Sequence, residues 1–293
     1  MKHHAVVFAS LCLLLFPASA QEPPKLTLPN SKTSFHFAVI GDSGTGGKEQ
    51  YQVGAMLTQF QKTFSFDAVL MTGDNLYGGE SPKDFANKFE KPYADLLKAG
   101  VKFYASLGNH DNSNQRFYEN FNMKGERYYT YKPRDGVRFI AIDSNYPDKP
   151  QLDWMEKQLA ASGAEWKIVF FHHPLYSSGK THGPNIELRK VLEPIFVKHG
   201  VSLVLSGHEH FYERLKPQNG IAYFILGSSA KLRKGDMRKT DVSALSFDAD
   251  NAFMLFEIDG DTLHFQTISR TGATVDSGTI LRAKGPGNGA PTQ

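Results

Sequence analysis

Asp42, Asp74, Asn109, His172, His208 and His210 each stand just beyond a short apolar run, and each offers a cation an oxygen or an imidazole nitrogen. Singly, such residues are turn formers or surface side chains. Gly41, Gly73, Gly108 and Gly207 directly precede four of these donors, so the same permissive backbone position recurs where each is delivered. Tyr77 adds a phenol shortly after Asp74, and His110 and Asp111 follow Asn109 directly. Acids and imidazoles converging on one cleft would concentrate charge and unsatisfied polar groups, an arrangement that bound cations explain. At His172-His173-Pro174 either imidazole has the position to reach a metal.

Positioning those donors requires a regular framework. Phe35 to Ile40, Ala68 to Thr72 and Val101 to Ser106 read as buried strands, separated by helices from about Glu49 to Phe64 and around Pro82 to Lys98. Arg127 to Lys132 and Val137 to Asp143 read as strands paired across the turn Pro133-Arg134-Asp135-Gly136. A helix near Gln151 to Ala161 leads to strand Trp166 to Phe171, and a helix from Asn185 to His199 leads to strand Val201 to Leu205. Such alternation predicts a parallel sheet, whose ligand sites lie beyond the carboxyl ends of its strands. The donors stand at those ends. Ile221 to Leu226, Ala252 to Ile258, Thr262 to Ser269 and Thr274 to Leu281 are expected to form a second, mostly antiparallel sheet.

The blocks Gly41-Asp42-Ser43-Gly44, Gly73-Asp74-Asn75-Leu76-Tyr77, Gly108-Asn109-His110-Asp111, His172 before Pro174, and Gly207-His208-Glu209-His210 resemble the ordered motifs of the calcineurin-like metallophosphoesterases. Tyr77 narrows the resemblance to purple acid phosphatases, especially the small, tartrate-resistant kind. It runs from about Phe35 to Arg282 and takes in His182-Gly183-Pro184. The implied fold is α/β, a two-sheet sandwich flanked by helices in α-β-β-α layers, with a dinuclear metal site at the strand ends. The resemblance makes Asp42, Asp74, Tyr77 and His210 ligands of a ferric ion, and Asp74, Asn109, His172 and His208 ligands of a divalent ion (Fe, Zn or Mn), with Asp74 bridging. It also prefers His172 over His173, which then lines the cleft. The implied reaction is hydrolysis of phosphate monoesters by a metal-bound hydroxide, with His110 and His182 binding phosphate and protonating the leaving group and Asp111 orienting His110. A phosphodiesterase or nucleotide hydrolase on the same centre, and a non-catalytic metal-binding surface protein, are the rival readings.

Composition fits this picture. With 40% hydrophobic and 22% charged residues the chain has the make-up of an ordinary globular protein, and a net charge of +3 is too small to imply a nucleic-acid partner. Lys2, His3 and His4 precede an apolar run from Ala5 to Phe16 and the small-residue site Ala18-Ser19-Ala20, which reads as a signal peptide over 1–20. That run is shorter than the ~20 residues a membrane span needs. The expected product is an exported protein, periplasmic or secreted, with no membrane association after cleavage and a small phosphate ester as its partner. Cys12, the single cysteine, lies in this segment, so metal ligands are limited to oxygen and nitrogen. The expected organisation is a leader over 21–34, one domain over 35–282, and a Gly- and Pro-rich disordered tail over 283–293. The basic stretch Lys231 to Lys239 reads as a solvated loop, in preference to a collector of anionic substrates by long-range attraction and not as a specificity site, and Gly44-Thr45-Gly46-Gly47-Lys48 lacks the spacing of a P-loop.

Overall fold

The computed structural model describes residues 25–283, so the signal peptide expected over 1–20 and nearly all of the expected tail lie outside the described residues. β1 (Phe35–Ile40), β2 (Ala68–Met71) and β3 (Lys102–Ala105) run parallel. α1 (Lys48–Gln61) joins the first two of these strands. The single helix expected before β3 is instead α2 (Pro82–Phe85), a π-helical turn at Ala86–Glu90, and α3 (Ala94–Lys98). Pro92 lies at the second break, where it can donate no N–H and disfavours a helical residue before it.

Further along, β4 (Tyr129–Arg134) and β5 (Val137–Ala141) form the expected antiparallel pair. α4 (Lys149–Ala161), β6 (Trp166–Phe170), α5 (Ile186–His199) and β7 (Leu203–Ser206) continue the alternation, with β5, β6 and β7 parallel. The Asn185 side chain caps α5 by accepting from Leu188 N–H at 3.0 Å, and Gly200 ends the helix in the left-handed region at φ 64°. β8 (Tyr212–Leu215), β9 (Ala222–Leu226), β10 (Ser243–Phe247), β11 (Ala252–Asp259), β12 (Thr262–Ser269) and β13 (Thr274–Leu281) complete the described chain.

These last strands do not form a sheet of their own. One sheet has the order β13-β12-β11-β1-β2-β3 and the other β10-β8-β9-β7-β6-β5-β4. β11 lies antiparallel on β1, whereas β9 lies parallel to β7. Local pattern marks these runs as strands but cannot say which existing edge each will cover. Neither β8 nor β10 is visible as an apolar run, because charged and small polar residues interrupt both.

Each central strand is buried on both faces, which explains the continuous apolar runs. Phe37, Val39, Leu70, Phe170, Leu205 and Phe256 fill the layer between the sheets. Ala38, Ile40 and Val69 turn outward against Val53, Leu57 and Phe60 of α1, and Val169 and Val204 meet Met155 of α4 and Leu192 and Phe196 of α5. Each such large apolar side chain contributes about 1.5–3 kcal/mol of burial. The result is the α-β-β-α sandwich, with the carboxyl ends of β1, β2, β3, β6 and β7 gathered at one rim.

Candidate metal centre

At that rim the chain leaves its strands abruptly. Asp42, Asp74 and His208 all have left-handed backbones, with φ of 51°, 50° and 69°. Such conformations are uncommon outside glycine and concentrate at functional sites. Gly108 and Gly207 make room for the side chains thus presented: a Cβ on Gly108 would lie 2.2 Å from Asp74 Oδ1, and one on Gly207 2.4 Å from Asp42 Oδ2.

The structure brings the predicted donors together in two overlapping groups. In the first, the Tyr77 hydroxyl donates to Asp42 Oδ1 at 3.1 Å, and His210 Nε2 lies 3.4 Å from both Tyr77 Oη and Asp42 Oδ1. One ligand atom each from Asp42, Asp74 and His210 falls within 4.8 Å of the others. In the second group, His172 Nε2 lies 2.9 Å from Asn109 Oδ1, 3.2 Å from His208 Nδ1 and 3.4 Å from Asp74 Oδ1. The groups are joined by Asp42, whose Oδ2 accepts from the backbone N–H of His208 at 2.9 Å.

Proton accounting shows why this cluster suits cations. His172 Nδ1 lies 2.9 Å from the carbonyl of Thr72, which can only accept, so Nδ1 carries the proton and Nε2 presents a lone pair. Burial holds the His172 pKa well below the ordinary histidine value, keeping the ring neutral. Its bare nitrogen nevertheless faces a carboxylate, an amide oxygen and a second imidazole. Asp42, Asp74 and His172 are all buried, and among the described residues no lysine or arginine pairs with either carboxylate. Burial and then the charge of Asp74 push the Asp42 pKa up; burial and the two aspartates push up that of the Tyr77 phenol. Burial lowers His208 to about 2 and His210 to about 4. Unpaired buried anions cost several kcal/mol each. Oxygen and imidazole donors with no thiolate therefore fit metal ions, whose binding would displace the acidic protons.

The remaining predicted residues sit around this cluster. His110 is exposed, its backbone N–H donates to Asp74 Oδ1 at 2.9 Å, and its ring centroid is 5.0 Å from that of Tyr77. The His182 ring lies tilted against that of His208, with centroids 4.2 Å apart, beside a pocket of about 490 Å³ lined by His173, Thr181, Gly183 and His208. His173 lies beside the same pocket, with Nδ1 2.9 Å from Ser144 Oγ. A larger hollow of about 730 Å³ lies near the amino end of β1, away from these donors.

Asp111 departs from its expected role. Its carboxylate accepts from the backbone N–H groups of Gly108, Asn75 and Leu76 at 2.8, 3.1 and 3.0 Å, and from the Gln115 amide at 2.8 Å, rather than from the His110 ring. It braces the Asp74 loop against the Asn109 loop. Glu209, for which no role is expected from its position in the chain, is fully buried and accepts from Gly183 N–H at 2.6 Å and Ser177 Oγ at 3.0 Å, fixing the loop that carries His182. Lying between two candidate ligands, it had no separate sequence signal.

Residues 35–212 match the family model described as calcineurin-like phosphoesterase. The tartrate-resistant acid phosphatase type 5 of Rattus norvegicus is 27% identical over 265 residues, covering 76% of this chain and 79% of the relative. Among solved structures, GAP50, described as the anchor in the inner membrane complex of Plasmodium, superposes with a TM-score of 0.76 at 23% identity, covering 86% of this chain and 90% of that one. Purple acid phosphatase PPD1 of yellow lupin gives 0.70 at 19% identity, covering 87% of this chain and 55% of that one. At these identities the structural matches show the fold alone, whereas the sequence relatives imply a dinuclear metal centre. No helix among the described residues is long and apolar enough to cross a membrane. Its sequence relatives being acid phosphatases, hydrolases of phosphoric esters, the chain belongs to the calcineurin-like phosphoesterase family.

Proposed function

We propose that this protein is a purple acid phosphatase-like enzyme that hydrolyses phosphate monoesters at the rim site, and that it acts after export. The observation that carries the reading is the bare Nε2 of His172 facing Asp74, Asn109 and His208, beside the Asp42–Tyr77–His210 group. Asp42, Asp74, Tyr77 and His210 would hold one cation and Asp74, Asn109, His172 and His208 the other, with Asp74 shared. The phenol and carboxylates suit a ferric ion, and the imidazoles and amide suit divalent Fe, Zn or Mn. When bound, two such cations would supply polarisation of a phosphoryl oxygen and a lowered pKa for water.

The protein's own part is to orient the ester and move protons. His110, presented beside Asp74 and Tyr77, is placed to donate to a phosphoryl oxygen. His182, on the loop pinned by Glu209, is placed to pass a proton to the departing alkoxide. Burial lowers the His182 pKa, so its protonated form is favoured towards acid pH, in keeping with an acid optimum. The Thr72 carbonyl fixes the tautomer of His172, and the Asp111 brace holds the Asp74 and Asn109 loops at a constant separation.

Metal analysis, a visible spectrum and 4-nitrophenyl phosphate turnover on one purified sample test the reading. Two metals per chain, hydrolysis, and a visible band abolished by Tyr77→Phe are expected. An iron-loaded protein whose spectrum survives that substitution refutes the phenolate assignment. A fully metallated sample with no turnover on varied phosphate esters refutes the enzyme, leaving a metal-binding surface protein.

A further inference from the structure

The basic segment Lys231–Lys239 is exposed at Lys234, Gly235, Arg238 and Lys239, as a solvated loop would be, but it is also anchored to the site. Lys231 N–H donates to the Asp42 carbonyl at 3.3 Å and Arg233 N–H to the His210 carbonyl at 2.9 Å, tying the segment to two candidate metal ligands. Its far side is laced to the loop that carries His182. Thr181 Oγ1 donates to Asp236 Oδ1 at 2.6 Å, Lys180 N–H donates to the Asp236 carbonyl at 2.8 Å, and Gly179 pairs with Met237. The segment is therefore a built wall of the cleft.

On this wall the Lys231 ammonium lies 4.4 Å from the centroid of the Tyr77 ring. Among the described residues no carboxylate pairs with it, whereas Arg233 faces Asp236 at 3.4 Å. Tyr77 also neighbours His110, so the ammonium and the imidazole proposed to hold the phosphoryl group flank one ring. A compact, strongly hydrated cation without a counter-charge, held at a cleft mouth, is suited to an arriving anion.

We propose that Lys231 is a specificity-determining residue that receives a second anionic group of the substrate, a phosphoryl or carboxylate group a few bonds from the phosphate being cleaved. This rests on the phosphatase reading above and adds a substrate class to it: phosphate esters or anhydrides with two anionic groups.

Steady-state rates of the metal-loaded full chain are measured with 4-nitrophenyl phosphate, inorganic pyrophosphate and 2-carboxyphenyl phosphate. Lys231→Gln is expected to lower the ratio of kcat/KM for a doubly anionic substrate to that for 4-nitrophenyl phosphate about tenfold, mainly through KM. Lys231→Arg should restore most of the ratio, and the effect should shrink as salt is raised. A fall confined to pyrophosphate assigns the subsite to phosphoryl groups, and one confined to the carboxyphenyl ester assigns it to carboxylates. An unchanged ratio for both overturns the proposal. So does a parallel fall for all three substrates with a shifted visible spectrum, which places the action of Lys231 on Tyr77. A wild-type protein inactive on all three sinks the phosphatase reading itself, an outcome seen as absent turnover rather than an unaltered ratio.

Discussion

Replacing Gly108 with alanine adds one methyl group where two loops cross behind the metal centre. The new Cβ would meet Asp74 Oδ1 at 2.2 Å, Asp74 N at 2.3 Å and Asp74 Cγ at 2.9 Å. The carboxylate oxygen can rotate away, but the backbone nitrogen cannot, so one loop must retreat by about 1 Å to reach an ordinary contact. Overpacking of this kind costs roughly 1–3 kcal/mol, or about 2–6 °C in Tm for a domain of this size. The catalytic cost should be larger in proportion. A shift of about 1 Å in the carboxylate shared by both candidate cations should lower kcat/KM about 100-fold and reduce bound metal. Thermal denaturation, metal content and 4-nitrophenyl phosphate rates would be compared with Gly47→Ala, where the nearest atoms to the added Cβ are side-chain atoms, Thr45 Oγ1 at 3.3 Å and Glu49 Oε2 at 3.4 Å. That control should stay within about twofold in rate. A Gly108→Ala protein with wild-type metal content and turnover would refute the packing argument, and with it the claim that Asp74 must stay where it is.

Two further substitutions separate bracing from proton chemistry. Burial and then the charge of Asp74 push the Asp111 pKa up to about 7, so above that pH Asp111→Asn turns an amide N–H₂ towards backbone donors satisfied by a carboxylate, and stability at pH 8 should fall by about 2–3 kcal/mol while the acid limb of the pH–rate profile stays in place; a displaced limb would reinstate Asp111 as the partner of His110. Glu209→Gln is informative in chelated protein, because burial lifts the Glu209 pKa to about 7 from an ordinary 4.5. A raised acid pKa contributes stability that is present below the unfolded value and lost as pH climbs through 7. The variant should therefore gain on the wild type between pH 4.5 and 7, by up to about 3 kcal/mol, and parallel denaturation curves across that window would contradict the burial argument.

The donors were legible because each is announced locally. Asp42, Asp74, Asn109 and His208 follow a glycine, and most of the donors follow an apolar run close enough to fix the strand end that delivers them. β8 was not legible, since Glu213 interrupts its apolar pattern and is nevertheless buried, one carboxylate oxygen accepting from Ser178 N–H at 3.0 Å. The break between α2 and α3 had a visible cause in Pro92, yet the helical periodicity either side concealed it.

By itself the sequence determined which side chains could serve as ligands, which ends of the strands would carry them, and that no thiolate outside the expected signal peptide could join them. These are properties of short segments, set by residue type and by the spacing of apolar and turn residues. Only the tertiary structure decided that the last three strands extend the first sheet, that Asp111 serves backbone donors and not an imidazole, and that the Lys231 loop is a wall of the cleft. Each of those outcomes depends on which segments meet, as where the His208 N–H reaches a carboxylate 166 positions earlier, and a hydrogen bond over that separation leaves no periodic mark in the chain.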